Sequence, residues 1–565
     1  MKLAPHTRFT LLVAAIALPP LACSDGTVES TGDSADSNSS DSPTGSYANA
    51  IDDKGDDATN SGGGSSVGGG NSGEGATPGS GGEASTGGAP GEDGRTAGAG
   101  GTTAGAPLIE DCQTAVGFIE VDSLEAMIEA MGQDNVQVSL APGTYTIDEN
   151  DVGLFATHPL PSGRTGSTLL HVTGENSAYD FRCTKVEFDT QLWREFGGNE
   201  VIELRTVGNG NTIRNLTIED MGWISPRGGA LGFVMDGKDN IIEGAHLTAR
   251  GSQPYGLGDA YGKGGGSVLS HQKHSGVLLR GLRNTFRHST VINRSYGHSV
   301  FMQGSTDTLI DGIYVEGELR STDDMLAAND ERFEAADARA AGIGFMTEWG
   351  YRLPAGYWMS LQEAGIRAYN GGSTEIDGEY SQGAAHNVRV LNSVVKNTRT
   401  GVTLVHATGE KYVENTTVIG CETGYSIGSG QIVDSYADAD IGPVITFAYS
   451  NDSGTTADIT VLPTDGSKNA WGALAHIGGR NHNITLRSEE TAVPEGLAVR
   501  VGGDKDSIRH LNGNLPHQDN HTVTNSEVHN LTRYPMVISD LAEGNEGQSE
   551  GPLSGNIDGN SITAN

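Results

Sequence analysis

The chain has 565 residues with 83 glycines, 72 acidic and 35 basic side chains, and a formal net charge of -37. A chain this long and polar exceeds one ordinary compact domain, and its acidity argues against nucleic acid as partner of the whole molecule, because a phosphate backbone is bound by neutralising it with Lys and Arg. The one apolar run near membrane length lies at the extreme N-terminus, which excludes a multi-span membrane protein.

Residues 1–22 read as a signal peptide, with Lys2 and Arg8, an apolar stretch over 9–18, and small residues before Cys23. The ending Leu21, Ala22, Cys23 resembles a bacterial lipobox, with Pro20 where that motif usually has Leu. The resemblance implies lipidation of Cys23, a lipid anchor to the membrane and, with Ser24 next, an outer-membrane or otherwise exported destination. From 23 to 106 the chain is almost all Gly, Ser, Thr, Ala, Asn and Asp, as in SGGGSSVGGGNSGEG (61–75). Without apolar side chains it cannot offset its chain entropy, so a disordered tether is expected before a folded domain over 107–565. In an oxidising compartment Cys112 and Cys183 are expected to pair, and Cys421, in VIGCETG, to be a small buried side chain.

The folded region carries an imperfect repeat: NTIRNLTIEDMG (211–222), NIIEGAHLTARG (240–251), NTFRHSTVINRS (284–295) and DTLIDGIYVEGE (307–318). Each unit has apolar residues third and eighth, and each follows a short apolar strand: VIEL (201–204), GFVM (232–235), GVLL (276–279) and SVFM (299–302). Related units are expected at STEIDGEY (373–380), VRVLNSVVKN (388–397), KYVENTTV (411–418), QIVDSY (431–436) and NHNITLRS (481–488). The shortest spacing fits two or three short strands joined by turns and is too short for a βαβ unit. Stacked coils bury a continuous core that no single coil could bury alone. The expected fold class is therefore all-β, a right-handed parallel β-helix with a partly helical insertion at 321–365.

The entry segment VQVSLAPGTYTI (136–147), followed by N-x-h-x-N-x-x-h coils, resembles the pectate-lyase-like superfamily of β-helix proteins over roughly residues 112–540. That superfamily includes polysaccharide lyases, glycoside hydrolases, uronate epimerases and non-catalytic surface proteins. The resemblance thus implies a fold and a carbohydrate partner rather than one reaction.

Departures from a monotonous repeat mark where chemistry can sit. The loop 251–275 and the insertion 321–365 leave the solenoid at the same point of the coil, so they are expected to flank one groove. Residues 238–298 hold eight bases (Lys238, Arg250, Lys263, Lys273, Arg280, Arg283, Arg287, Arg294), three acids (Asp239, Glu243, Asp259) and five histidines (His246, His271, His274, His288, His298). Such a band implies an anionic ligand or internal pairing with acids elsewhere. SHQKH (270–274), NRSYGH (293–298) and EGELRSTDD (316–324) follow one another coil by coil, about 4.8 Å apart.

β-Elimination from a uronic acid needs a cation for the sugar carboxylate, a base for the C5 proton and an acid for the leaving oxygen. Arg294 and Arg320 are candidates for the carboxylate, His271 or His298 for the base, Lys273 in support and Tyr296 for the acid. Hydrolysis would instead need paired carboxylates, for which Asp323 and Asp324 with Glu316 or Glu318 are candidates. Substrate contacts are assigned to Lys263, His274, Arg367 and Tyr369, and to Trp349, Tyr351, Tyr357 and Trp358, whose rings stack on sugars or pack the insertion. The sequence assigns no certain cofactor; Ca2+ through Asp239, Asp259 or Asp323 is the one candidate ion. The sequence reading is a surface-anchored monomer that cleaves an acidic polysaccharide as a lyase, with a hydrolase of a sulfated or uronate-bearing glycan and a non-catalytic adhesin as alternatives.

Overall fold

The computed structural model describes residues 104–109, 111–258, 271–327, 356–447, 449–503 and 522–565. Cys23, Asp259, Lys263, Trp349 and Tyr351 lie outside the described residues, as do the signal segment, the tether and most of the 321–365 insertion. Among the described residues no helix is long and apolar enough to cross a membrane.

The chain winds into coils that each add one strand to three parallel sheets. The first sheet stacks Thr165–Val172, Glu200–Thr206, Ala230–Met235, His274–Leu282, Val300–Asp311, Ala364–Ala368 and Thr400–Thr403. The second stacks Ala178–Asp180, Thr212–Arg214, Ile241–Glu243 and Thr285–Arg287, then runs through the far half of Val300–Asp311 to His386–Leu391 and Thr408–Glu414. The third stacks Thr184–Asp189, Thr217–Met221, His246–Arg250, Thr290–Arg294, Tyr314–Glu316 and Val394–Lys396. This is the parallel β-helix that the repeat and the resemblance imply.

In-register pairing turns the repeat into columns of like side chains. Leu204, Phe233, Val277, Val300, Ile366 and Val402 form one inward column, all buried, and Ile213, Ile242, Phe286, Ile310 and Val390 another. Each such side chain contributes about 1.5–3 kcal/mol. The turn between the second and third sheets needs a left-handed backbone once per coil, taken by Asn215 (φ 60), Gly244 (φ 67), His288 (φ 47), Gly312 (φ 63) and Asn392 (φ 51); Asn and Gly adopt it at little cost. Inside, the Oδ1 atoms of Asn211, Asn240 and Asn284 accept the backbone N–H of Ser177 (3.0 Å), Asn211 (2.9 Å) and Asn240 (2.8 Å), tying each coil to the one before.

Two repeat assignments need correction. The fourth unit starts at Thr308, not Asp307: Asp307 (φ 56) takes the turn position held by Asp239 and Arg283, and the inward residues are Ile310 and Val315 instead of Leu309 and Tyr314. A one-residue slip exchanges the two faces of a strand, so burial fixes the register. STEIDGEY is no coil unit but an antiparallel hairpin, Ser373–Ile376 with Glu379–Gln382, closed by Asp377 (φ 53) and Gly378 (φ 76). Asp-Gly between extended segments favours that tight reversal. The hairpin lies on the outside of the first sheet, where Glu375 pairs with Arg205 (2.7 Å) and Asp377 with Lys238 (2.8 Å).

At the N-terminal end the helix Leu124–Ala130, capped by Ser123 Oγ, covers the open core with Leu124, Met127 and Ala130. Cys112 and Cys183 form a disulfide there, and Cys421 is a buried free thiol. The 251–273 and 317–363 excursions both leave after third-sheet strands, His246–Arg250 and Tyr314–Glu316, and return to the first sheet. Their described ends touch: Tyr255 Oη donates to Glu318 Oε2 (2.8 Å), Gln362 Nε2 donates to Tyr255 Oη (2.9 Å), and Arg320 Nη1 donates to Gly256 O (2.8 Å). The coil between them turns within 295–299, so His298 lies on a short turn between the coils that carry the two excursions.

Candidate active site

Three successive coils bring one group of polar side chains together at this turn. Lys273 stands just before the strand His274–Leu282, His298 just before Val300–Asp311, and Glu363 just before Ala364–Ala368. The Glu363 carboxylate spans the gap: Oε1 is 2.9 Å from Lys273 Nζ and Oε2 is 3.5 Å from His298 Nε2. His298 Nδ1 accepts the Ala364 N–H (3.2 Å), which leaves the proton of the neutral ring on Nε2, facing Tyr369 Oη at 2.6 Å. The Arg367 guanidinium lies 4.3 Å from the Tyr369 ring centroid. The imidazole N–H thus meets the phenol oxygen and a cation meets its ring, with both Tyr369 and Arg367 buried. Lys273 keeps about a fifth of its side chain exposed (21%) while Glu363 is buried (1%), so the cation faces the groove and the anion lies behind it.

The other sequence candidates are distributed unevenly. His271 stacks on Tyr296 at 3.9 Å, and both are buried. Burial, aided by Lys273, pushes His271 down to about 3, so its imidazole is neutral and weakly basic near neutral pH. Tyr296 forms part of the wall behind Lys273, whose Nζ is 5.4 Å from its ring. Arg294 donates to Glu316 Oε1 (2.5 Å) and to the carbonyls of Glu316 (3.2 Å) and Gly317 (3.1 Å). Arg320 is buried, with Nη2 donating to Asp324 O (3.0 Å) as well as Nη1 to Gly256 O, so it ties the two excursions together. Asp323 Oδ1 accepts Gly356 N–H (3.0 Å), and Asp324 Oδ2 accepts from Ser321 Oγ (2.7 Å) beside the short helix Thr322–Ala327. Tyr357 is buried, and the Trp358 ring lies 4.2 Å from Lys468 Nζ of a later coil. Asp239 binds Arg283 through both oxygens (2.7 Å each), which answers its charge without calcium.

His274 is inside the solenoid rather than in the groove. Its Nδ1 is 2.6 Å from Arg250 O and 3.2 Å from Asp220 Oδ2, and its Nε2 is 3.6 Å from Glu203 Oε1, with all three residues fully buried. Burial and the adjacent Asp220 carboxylate hold Glu203 well above the usual carboxylate range.

Sequence reasoning missed Glu363, whose place one coil below His298 is hidden by the length of the insertion, and Trp223. Trp223 is partly exposed (36%), stacks on Tyr255 at 5.8 Å and carries Arg250 at 5.1 Å, so the groove wall has an aromatic face at its N-terminal side. A lone Trp in a loop next to a basic residue was the only signal.

No family model and no curated protein sequence matches the chain. Among solved structures it is similar to a mannuronan C-5 epimerase A-module from Azotobacter vinelandii (10% identity, 80% of this chain and 96% of that one, TM-score 0.36). It is also similar to an alginate lyase in complex with a trisaccharide (12%, 80% and 86%, TM-score 0.35) and to the surface protein and adhesin PfbA of Streptococcus pneumoniae (12%, 80% and 97%, TM-score 0.29). Likeness at this level concerns the fold alone.

Proposed function

We propose that the protein is an exported enzyme that cleaves an acidic polysaccharide by β-elimination at a uronic acid, in the groove between the two excursions. The observation that carries this reading is the chain Lys273, Glu363, His298, Tyr369, Arg367, which sets fixed cations beside a phenol whose oxygen faces an imidazole N–H. Lys273, with Arg367 of the same chain of side chains, neutralises the uronate carboxylate and so acidifies C5–H. Tyr369, as phenolate held by His298 and Arg367, takes the C5 proton; the C4–C5 double bond forms, the C4–O bond breaks, and the leaving oxygen recovers that proton from the Tyr369 hydroxyl. Glu363 positions Lys273 and His298.

The test is to incubate the full-length protein with alginate, pectate, ulvan, carrageenan and glycosaminoglycans while reading unsaturated product and reducing ends together. Both signals on one uronate polymer are expected. Reducing ends without unsaturation would replace elimination by hydrolysis, and neither signal would favour the adhesin reading.

A further inference from the structure

The buried cluster of Glu203, Asp220 and His274 stands apart from the groove and behind its wall. Sequence register explains how it arises. In the first sheet, Glu203 lies in the coil column continued by Gly232, Gly276, Ser299, Gly365 and Gly401. The glycines are required: a Cβ on Gly232 would lie 2.5 Å from Leu247 Cδ2, on Gly365 2.3 Å from Val395 Cγ1, and on Gly401 2.4 Å from Val418 Cγ1. Glu203 alone puts a carboxylate into this inward column. Asp220 faces the same interior from the third sheet, beside Phe188, and His274 enters from the start of the next first-sheet strand but one.

Among the described residues, both oxygens of Glu203, Asp220 Oδ1 and His274 Nε2 are buried and have no hydrogen-bond partner outside the cluster, the two carboxyls facing one another. Buried carboxylates without hydrogen bonds are costly, and native interiors seldom tolerate them without a counter-ion. The outer atoms of the same groups are occupied: Asp220 Oδ2 accepts the Arg250 N–H (2.7 Å), and His274 Nδ1 faces Arg250 O (2.6 Å). An imidazole that gives its Nδ1 proton to a backbone carbonyl and turns Nε2 toward a carboxylate, here Glu203, has the arrangement of a metal-ligating histidine, and Asp220 borders the same ring on its Nδ1 side. One ligand atom from each residue lies within 4.8 Å of the others, and His274 Nε2 is 3.6 Å from Glu203 Oε1. Ligand bonds of about 2.0–2.2 Å in a tetrahedron put ligand atoms about 3.4 Å apart.

From this geometry we propose that Glu203, Asp220 and His274 hold one divalent transition-metal ion of the Zn2+ class in the interior of the solenoid. One imidazole with two carboxylates suits a borderline cation; Ca2+ takes six to eight oxygens, which this apolar interior does not offer. The ion is structural: Trp193 packs against His274 at 5.2 Å, and the site is closed to the groove. Because His274 follows Lys273 directly, the ion fixes the strand start from which Lys273 reaches Glu363. The proposal stands whatever the substrate of the groove.

The test uses tag-free full-length protein made in medium supplemented with Zn2+ and analysed for metal by mass spectrometry. About one equivalent per chain is expected, retained in Asp239→Asn and lost in Glu203→Gln. Refolding the wild type with Co2+ in place of Zn2+ should give the visible absorption of a tetrahedral site, absent in His274→Gln, and the wild type refolded with chelator should melt lower than with Zn2+. Wild-type protein without bound metal, colourless after Co2+ refolding and with the same Tm in chelator, would overturn the proposal and leave a proton-sharing carboxyl pair. Metal that persists in Glu203→Gln would overturn it equally, even where that variant folds less well.

Discussion

The basic band from Lys238 to His298 contains two kinds of cation that its composition cannot separate. On the outer turns, Lys238 pairs with Asp377 (2.8 Å), Arg283 with Asp239 (2.7 Å) and Arg287 with Glu243 (2.5 Å), each in contact with solvent. At the groove wall, Lys273 pairs with a carboxylate that is 1% exposed and shared with His298. Both kinds are ion pairs between segments far apart in sequence, so pairing itself says little about function. What differs is the medium: the outer pairs are screened by water, whereas the wall pair acts where charge is costly to rearrange and its geometry is fixed.

The sharpest way to break that contrast is at the end of the wall chain. Tyr369→Phe, which removes the hydroxyl facing His298, should lower kcat by about 10²–10⁴ with Tm nearly unchanged; wild-type turnover would remove Tyr369 from the chemistry. Glu363→Gln should cost stability as well as rate, about 1.5–3 kcal/mol, since it removes the charged partner of the partly exposed Lys273 ammonium. Urea unfolding reads the loss, and adding Lys273→Met to that variant should recover part of it; no recovery would mean that Lys273 and Glu363 are not coupled.

The next effect is on acid stability. Burial lowers His171 and His271 to about 3 and His482 to about 4. Each folded-state pKa is depressed, so the unfolded chain takes up protons first as pH falls. Their contribution is complete above the unfolded value near 6.5 and is lost progressively as pH falls toward 4 and 3. Asp438, raised to about 7 by burial, works in the opposite direction across part of that range, its contribution being lost as pH rises through 7. Glu200, Glu203 and Asp220, also raised by burial, oppose the histidines in the same sense as Asp438. Removing one such carboxyl in Asp438→Asn should therefore make Tm fall more from pH 6.5 to 4.5 than in the wild type; identical profiles would contradict it. The smallest effect belongs to the outer pairs: Arg283→Ala and Arg287→Ala should each leave Tm nearly unchanged, since water screens the pair, and leave turnover unaltered. A kcat loss in either would erase the distinction between ladder and wall.

How much of this was legible depends on periodicity. The apolar third and eighth positions of three units gave the coil and its inward columns because burial repeats with the chain. The fourth unit slipped by one residue because Asp307 looks like a repeat Asn while occupying the preceding turn, and STEIDGEY misled because an Asp-Gly reversal interrupts a strand-like pattern. His298, Lys273 and Tyr369 were flagged by residue type and coil position. Glu363, Glu203 and Asp220 were not, since whether a carboxylate faces out or in depends on which column its coil assigns it. His271 and Tyr296 were assigned chemistry on type alone, and their mutual stacking inside the wall is a packing outcome that spacing does not encode.

The tight turn over 295–299 has a consequence for how such a molecule can change. The strands on either side of each excursion are paired to neighbouring coils, as Arg250 is with Arg294 and Val277 with Val300. The ladder is therefore indifferent to what is spliced between them. Loop length and loop sequence at that corner can drift, be exchanged or be grafted without touching the register that holds His298 in place, so the surface around it can diversify on an unchanged spine.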